Sequence, residues 1–343
     1  MNDIEFMRFK LGPYISRVFI EKQFRIPDLD PDKKKLFIFD KKTATLFSKG
    51  IEDYLVLPCG EENKSWKNVE QIHKKAIKME LSRESIFIGI GGGLLGDIVA
   101  FAASTYMRGC SLILLPTTLL SMVDAGVGGK TGINFMGFKN MVGSFYPAEE
   151  IYIYLSAVKS LTEKDYRQGI AEVIKTAMLG DEELFRMVQN ESDKIKKRDT
   201  NILENIVKRC IAVKGRIVED DFKEKGKRAF LNLGHTFAHA LESVTELKSF
   251  AHGDAVAWGI NCAINLGLIL GITNPQYAKT VKEVIRLYKF KTKLPKLDPV
   301  KIYKAMAKDK KRLKKSIRFI LQKNLCQTSI EEVEKKIILE SLK

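Results

Sequence analysis

The chain contains 343 residues, of which 45% are hydrophobic, and carries a formal net charge of +16. This length accommodates a large buried core and favours two domains. The longest apolar run, residues 98–120, is interrupted by Arg108 and Pro116, and the N-terminal MNDIEFMRFK lacks an apolar stretch, so we expect neither a membrane span nor a signal peptide.

The basic excess is compatible with a nucleic-acid partner, an acidic lipid surface or an anionic small-molecule substrate. Lysines are spread along the chain, with crowding at residues 33–35 and 308–315, and no run of aromatic residues is interleaved with them. This distribution favours a largely solvated surface in which a few basic residues bind an anion. The five scattered cysteines show no paired spacing, which favours a reducing cytoplasm over a disulfide framework.

Hydrophobic periodicity predicts a parallel α/β sheet followed by a mostly helical segment. Buried strands are predicted over residues 36–39, 85–90 and 112–115. The character of the chain changes near residue 155, after which Thr162 with Asp165 is typical of a helix N-cap. Helices are predicted over residues 164–179, 182–196, 200–218, 236–247, 255–270 and 275–289. We therefore predict one domain over residues 1–155 and a second, mostly α-helical domain over residues 156–343.

A glycine-rich segment, GGGLLG at residues 91–96, follows the strand predicted over residues 85–90 and precedes an apolar helix. Small residues in this position let a pyrophosphate approach the backbone amides at a helix N-terminus. The acidic residue that a standard dinucleotide motif places about twenty positions later is missing. A tight structural turn is the alternative, and Asp97 directly after the loop would repel a pyrophosphate unless its side chain faces elsewhere.

Three residues are candidate metal ligands: Glu172 in GIAEVIK, His235 in NLGHTFAHALE and His252 in HGDAVAWG. One carboxylate and two imidazoles suit a catalytic divalent metal that keeps a position open for water or substrate. The alternatives are structural: His235 with His239 could be a surface pair one helical turn apart, and Glu172 with Lys175 an ordinary helix ion pair.

Several segments together resemble the 3-dehydroquinate synthase family, in order and in spacing, between about residues 36 and 320. They are GGGLLGDIVAFAASTYMRG, LPTTLLSMVDAGVGGKTGIN, GFKNMVGSFYPA, GIAEVIK, LNLGHTFAHALE and HGDAVAWG. The resemblance implies an N-terminal Rossmann-like NAD-binding domain and a C-terminal, mostly α-helical metal-binding domain. It places the metal ligands, for Zn²⁺ or Co²⁺, on Glu172, His235 and His252.

The resemblance also implies the positions of the other site residues. Contacts to NAD fall on Asp40, Glu61, Lys64, Gly93, Leu94, Leu95, Gly96, Asp97, Thr117, Thr118, Lys130, Lys139, Ala157, Val158, Lys159 and Ser160. Contacts to the substrate fall on Arg108, Lys130, Asn140, Lys175, Lys214, Arg228, Asn232, His239 and Lys310. Catalytic roles fall on Asp124, Lys130, Lys175, Glu224 and His239. Ala125 and Gly126 depart from the family, which usually has a serine pair after the aspartate, and the first 35 residues match poorly.

The reaction implied by the resemblance converts 3-deoxy-arabino-heptulosonate 7-phosphate to 3-dehydroquinate and phosphate. That substrate carries a carboxylate and a phosphate, which part of the basic excess would bind. His239 could shuttle a proton or contact the phosphate, and Asp124 could alternatively be a structural cap. The resemblance further implies a homodimer in the cytoplasm.

Other functions remain open at this point. A sister cyclase acting on a neutral-headed sugar phosphate, or an amino-substrate variant, would have the same fold, NAD and metal. A metal-dependent polyol dehydrogenase of related fold would release NADH. A basic nucleic-acid binder with structural metal residues would show salt-sensitive binding, but no nucleic-acid motif accompanies the charge, and we expect neither a nucleic-acid nor a membrane partner.

Overall fold

A computed structural model of the protein describes residues 4–245, 250–292, 298–309 and 316–342. The chain forms two compact units. The first comprises Met1–Leu161 and Leu203–Lys223, and the second comprises Thr162–Ile202 and Glu224–Lys343. Over the described ranges, the helices are too short or too polar to cross a membrane.

The first unit is an α/β structure. Its strands are β1 (Glu5–Leu11), β2 (Tyr14–Glu21), β3 (Lys35–Asp40), β4 (Tyr54–Leu57), β5 (Ile86–Gly91), β6 (Ser111–Pro116), β7 (Lys130–Phe135), β8 (Phe138–Phe145) and β9 (Glu150–Tyr154). The α-helices before residue 161 are α1 (Lys41–Phe47), α2 (Trp66–Lys78) and α3 (Gly93–Thr105).

The second unit is mostly helical. Its helices, with the one that continues into the first unit, are α4 (Glu163–Gly180), α5 (Glu182–Asn190), α6 (Ser192–Lys196), α7 (Thr200–Asp220), α8 (His235–Val244), α9 (His252–Ile269), α10 (Pro275–Leu287), α11 (Pro299–Asp309) and α12 (Lys335–Ser341). Two antiparallel strands, β10 (Ser316–Asn324) and β11 (Gln327–Glu334), form a hairpin near the C-terminal end.

The main sheet has the strand order β1-β2-β9-β6-β5-β3-β4. Only the β1–β2 pair is antiparallel among its described neighbours, and the other pairs are parallel. Every residue of β5 is buried, as expected for a strand covered on both faces. The three strands predicted from the sequence are β3, β5 and β6, which lie side by side, and the predicted α/β class is confirmed.

Parallel pairing brings the carboxyl ends of the central strands to one edge of the sheet. Phe39 pairs with Ile90, and Gly91 pairs with Pro116. The backbone N–H of Thr117 then donates to the carbonyl of Gly91 at 2.9 Å. Ligands of open α/β sheets bind at this edge, so the glycine-rich loop stands where a nucleotide would be held.

The helix boundaries mostly agree with the periodicity. Thr162 caps α4, because its hydroxyl accepts a hydrogen bond from the backbone N–H of Asp165 at 3.1 Å, as predicted. The single helix predicted over residues 182–196 is wrong, because the chain breaks at Glu191 into α5 and α6. Asn190 and Ser192 flank this break, and both residue types favour helix ends over helix interiors.

The β10–β11 hairpin was not predicted. Its strand β10 alternates partly between buried and exposed positions, with Ile317 and Phe319 inward and Arg318 outward. Phe319 packs against Phe237 of α8, with ring centroids 4.9 Å apart. The hairpin therefore forms part of the hydrophobic core of the second unit.

Candidate functional site

Three helices of the second unit bring the predicted metal ligands together. Glu172 lies in the middle of α4, while His235 and His252 are the first residues of α8 and α9. The Nε2 atoms of His235 and His252 lie 3.6 Å and 3.4 Å from Oε1 of Glu172. One potential ligand atom from each residue lies within 4.8 Å of the other two, a spacing that a single cation can bridge.

Both imidazole rings are oriented by an acceptor at Nδ1. Nδ1 of His235 lies 3.3 Å from the carbonyl oxygen of Leu233, and Nδ1 of His252 lies 3.0 Å from Oε1 of Glu242. A carbonyl and a carboxylate can only accept, so each Nδ1 carries the proton in these contacts. Each Nε2 therefore faces Glu172 and is the nitrogen available to a cation.

Glu172 is completely buried, and Nζ of the buried Lys175 lies 2.5 Å from its Oε2. Among the described residues, neither oxygen of Glu172 accepts a hydrogen bond of good geometry. A buried carboxylate whose oxygens lack directed donors fits a site for a cation. With two imidazoles beside it, the donor set is one that zinc and cobalt accept.

The charges around this cluster differ from residue to residue. Burial acts to raise the pKa of Glu172, but Lys175 and the two imidazoles hold it well below its ordinary value. Burial and then the charge of Lys175 lower the pKa of His235 to about 3. Burial also opposes charge on His252, but its contacts with Glu172 and Glu242 raise its pKa to about 10. Glu172 is thus ionised and His235 neutral, as metal ligands are, whereas His252 carries a second proton, which a bound cation would displace from Nε2.

The helices that carry the ligands approach each other closely. A Cβ atom on Gly259 of α9 would lie 2.1 Å from the carbonyl oxygen of Gly234, the N-cap of α8, which itself has φ +78°. Arg167 of α4 binds both carboxylate oxygens of Asp254 of α9, at 3.0 and 3.1 Å. These contacts fix α8 and α4 against α9, and so fix the ligands relative to one another.

A cavity of ≈ 410 Å³ adjoins the metal cluster in the second unit. Its lining includes His235 together with three residues predicted to contact substrate or to act in catalysis: Glu224, Asn232 and His239. The amide of Asn232 donates to Oε1 of Glu224 at 2.8 Å, and the ring of His239 lies 5.4 Å from that of His235. Arg228, on the same 3-10 segment Lys227–Asn232, is 2% exposed.

In the first unit, the glycine-rich loop forms the start of α3. Gly92 is the N-cap, so no side chain occupies the first N–H groups of the helix, which can bind an anion. A small cavity beside the loop is lined by Gly93, Gly96, Asp97 and Lys130, among others. Ala125 packs against this loop so closely that a Cβ on Gly93 would lie 2.8 Å from its methyl group.

The negative charge of Asp97 beside the glycine-rich loop is compensated, because its carboxylate pairs with the ammonium of Lys64. Lys64 is buried and also donates to Oδ1 of Asn140 at 2.5 Å. The structure therefore joins two predicted NAD contacts and one predicted substrate contact in a single cluster. This pairing resolves the problem that Asp97 posed in the sequence.

Asn134, which was not singled out in the sequence, links this cluster to Glu61. Its Nδ2 donates to Oε1 of Glu61 at 2.9 Å, and its backbone N–H donates to the carbonyl of Lys64 at 2.8 Å. Its Oδ1 accepts from the backbone N–H of Asn140 at 2.9 Å. The TGIN segment that contains Asn134 was part of the quoted pattern, and its position at the end of β7 was the available signal.

Asp124 and Lys214 also come together in the first unit. Nζ of Lys214, from α7, donates to the backbone carbonyl of Asp124 at 2.5 Å and to its carboxylate. Lys214 is buried, although it carries a charge. Lysines are rarely buried, so the pairing of a buried ammonium with a predicted catalytic residue supports a role in the site for both.

The remaining predicted residues lie in several places. Asp40 caps α1 at the end of β3, and Thr117 and Thr118 directly follow β6. Leu94 and Leu95 lie in the first turn of α3. The segment of Ala157, Val158, Lys159 and Ser160 belongs to a 3-10 helix after β9. Arg108, Lys130 and Lys139 are exposed. Lys310 lies outside the described residues.

Three of the predicted substrate-site or catalytic residues adopt left-handed backbone conformations. Arg108 has φ +67°, Asn140 has φ +49° and Glu224 has φ +55°. Such conformations are costly for residues other than glycine and persist where the surrounding structure fixes them. Their occurrence at these three positions indicates that the surrounding structure holds the three side chains in defined orientations.

Glu242 was also missed in the sequence, although it lies seven residues after His235 and therefore on the same face of α8. A carboxylate two turns beyond a candidate ligand was the available signal. Its partner, His252, lies on another helix, so the spacing alone did not connect them.

Comparisons with known proteins agree with this arrangement. A family model described as 3-dehydroquinate synthase N-terminal matches residues 54–168, and one described as 3-dehydroquinate synthase C-terminal matches residues 169–312. A 3-dehydroquinate synthase of Ruminiclostridium cellulolyticum is 38% identical over 322 residues, covering 90% of this chain and 89% of the relative. One of Dictyoglomus turgidum is 39% identical over 294 residues, covering 85% and 82%.

Solved structures with the same fold include those of two synthases. The 2-epi-5-epi-valiolone synthase of Streptomyces hygroscopicus subsp. jinggangensis, with NAD⁺ and Zn²⁺ bound, superposes with a TM-score of 0.84 at 24% identity, covering 95% of both chains. A 2-deoxy-scyllo-inosose synthase complexed with carbaglucose-6-phosphate, NAD⁺ and Co²⁺ superposes with a TM-score of 0.84 at 22% identity, covering 98% of both chains. At these identities the similarity establishes the fold.

Proposed function

The chain belongs to the 3-dehydroquinate synthase family, and we propose on this basis that it converts 3-deoxy-arabino-heptulosonate 7-phosphate to 3-dehydroquinate and phosphate. The enzyme is then a phosphate-eliminating carbon–oxygen lyase of the shikimate pathway, which supplies aromatic amino acids. The steps are transient oxidation, phosphate loss, re-reduction, ring opening and aldol closure. The observation that carries the proposal is the convergence of Glu172, His235 and His252 beside the cavity that Glu224, Asn232 and His239 line.

Glu172, His235 and His252 would hold the divalent cation, Zn²⁺ or Co²⁺. When bound, the cation lowers the pKa of substrate hydroxyl groups and so favours the oxidation. The chain prepares this position by burying Glu172 and by fixing both Nδ1 atoms on acceptors, which leaves each Nε2 available. Lys175 balances the buried carboxylate, and its ammonium also provides positive charge for an anionic substrate.

The first unit would bind NAD, which accepts a hydride and returns it within each turnover. The free N–H groups at the start of α3 suit the pyrophosphate. Lys64 neutralises Asp97 and thereby allows a negatively charged group near the loop. We assign NAD binding to the segment predicted as residues 1–155 and the metal to the segment predicted as residues 156–343.

Three further polar residues of the second unit, Arg228, His239 and Asn232, would bind and orient the substrate, and the last two line the cavity. Arg228 offers a buried guanidinium, which suits planar contacts to a carboxylate. His239 lines the cavity, where an imidazole can transfer a proton to or from the substrate. The amide of Asn232 orients the carboxylate of Glu224 by donating to its Oε1.

Location and assembly complete the proposal. The five cysteines are thiols that take part in no disulfide among the described residues, which supports the cytoplasmic location expected from the sequence. A homodimer is proposed from family membership.

The test is phosphate release from 3-deoxy-arabino-heptulosonate 7-phosphate by the purified protein, with and without NAD and with and without a chelator. We expect release that needs both NAD and metal, without build-up of NADH. Glu172→Gln should abolish release, whereas Glu163→Gln, an exposed carboxylate at the start of the same helix, should not. NADH accumulation from a polyol would indicate a dehydrogenase, and release only from a neutral-headed sugar phosphate would indicate a sister cyclase.

A further inference from the structure

Glu242 is a buried carboxylate in α8 that the proposed reaction does not use. It is 4% exposed, and its Oε1 lies 3.0 Å from Nδ1 of His252. Burial of an ionised carboxylate costs several kcal/mol unless it is paired and hydrogen-bonded. A carboxylate kept in this position therefore compensates a charged or strongly polar partner, and the imidazole of His252 is such a partner.

The two nitrogen atoms of His252 each face a different carboxylate. Nε2 lies 3.4 Å from Oε1 of Glu172 in α4, and Nδ1 lies 3.0 Å from Oε1 of Glu242 in α8. The ring thus stands between the ligand carboxylate on one edge and Glu242 on the other. Because Glu242 accepts a hydrogen bond at Nδ1, a proton is held there, and Nε2 is the nitrogen that faces Glu172 and would bind a cation.

The other ligand imidazole is held in a different way. Nδ1 of His235 lies 3.3 Å from the carbonyl of Leu233, two residues away on the same chain segment. His252 has a partner on another helix, ten residues earlier in the chain. A charged acceptor increases the electron density on the ring more than a backbone carbonyl does, and it also ties α9 to α8.

From this geometry we propose that Glu242 is a positioning residue for the metal site. It fixes the tautomer and the orientation of His252 and increases the basicity of Nε2, so that this nitrogen binds the cation tightly. The inference rests on the proposed assignment of Glu172, His235 and His252 as metal ligands. The rival explanation is that Glu242 only stabilises the packing of α8 against α9.

The experiment measures Zn²⁺ affinity of the purified full-length protein, stripped with a chelator and titrated in competition with a chromogenic chelator, without substrate or NAD. Glu242→Met fills a similar volume without an acceptor, and Glu242→Gln keeps an acceptor oxygen without the charge. We expect the affinity to fall by up to about 100-fold in the first variant and by about 10-fold in the second. Glu242→Gln carries the test if Glu242→Met does not fold.

A double-mutant cycle separates positioning from packing. In a His252→Ala background, Glu242→Met should have no further effect on Zn²⁺ affinity, because the ring through which Glu242 acts is gone. Thr245→Ala, which removes a local hydrogen bond to the carbonyl of Leu241 at the same end of α8, is the matched control and should bind Zn²⁺ like the wild type. Thermal unfolding in excess chelator reports the packing contribution separately.

The outcomes are distinguishable. If the Glu242 variants lower thermal stability in chelator but bind Zn²⁺ like the wild type, Glu242 has only a structural role and the inference is wrong. An equal loss of affinity with and without His252 would overturn it as well. If the wild type binds no Zn²⁺ in a manner that depends on Glu172, the metal assignment under the proposed function fails, and the positioning role fails with it.

Discussion

The close contact between Gly259 and Gly234 predicts that Gly259→Ala destabilises the protein, although a glycine-to-alanine substitution inside a helix usually stabilises one. Replacing a glycine inside a helix by alanine normally stabilises a protein by about 1 kcal/mol. In Gly259→Ala the new Cβ would lie 2.1 Å from the carbonyl oxygen of Gly234. That oxygen belongs to the backbone, so α8 and α9 would have to separate by roughly 1 Å, since the interior is close-packed.

A clash with backbone atoms lies at the upper end of the usual cost of overpacking, about 3 kcal/mol, which leaves a net loss of about 2 kcal/mol after the helix gain. We expect the melting temperature in excess chelator to fall by roughly 4–8 °C. The separation also moves His235, next to Gly234, away from His252, so Zn²⁺ affinity should fall by at least about 10-fold.

Differential scanning calorimetry and Zn²⁺ competition titration provide the two measurements. Gly96→Ala is the matched control, because this helical glycine has its nearest neighbouring atom at 4.0 Å, and it should raise the melting temperature slightly. An unchanged or higher melting temperature for Gly259→Ala, with wild-type Zn²⁺ affinity, would refute the argument that this contact sets the spacing of the ligands.

Three further predictions concern the buried charges. Glu172→Gln should lower the free energy of unfolding in chelator by about 3–5 kcal/mol, because Lys175 loses its carboxylate partner. The double variant Glu172→Gln/Lys175→Met should regain most of this stability, as measured by chemical denaturation. Lys64→Met should weaken NAD binding at least about 10-fold in a fluorescence titration, because it leaves Asp97 uncompensated beside the loop; an unchanged affinity would contradict this role. Arg228→Ala should raise the KM for the sugar phosphate far more than that for NAD, whereas equal effects in steady-state kinetics would indicate a structural role.

The sequence by itself determined the class of the fold and the main chemical groups. Continuous apolar runs identified β3, β5 and β6, because strands buried on both faces cannot alternate with polar residues. The helix N-cap at Thr162 could also be predicted from the sequence, because it depends on a hydrogen bond between residues three apart in the chain. Glu172, His235 and His252 could be proposed as ligands because their residue types and flanking segments carry the chemistry.

Only the tertiary structure decided how these groups meet. Local spacing does not show that Lys64 pairs with Asp97, which lies 33 residues later. Likewise, the alternation of apolar and polar residues in β10 is too weak to predict a strand, and the packing of Phe319 on α8 places this segment in the core.

Glu242 illustrates the limit most clearly. Its distance from His252 depends on how closely α9 docks on α8, and that distance is set by Gly234 and Gly259, where two backbones touch. Residue type and periodicity are local properties of the chain, whereas the geometry of a metal site is a property of helix packing. The sequence therefore determined which atoms are available, and the packing of α4, α8 and α9 determined which of them can act together.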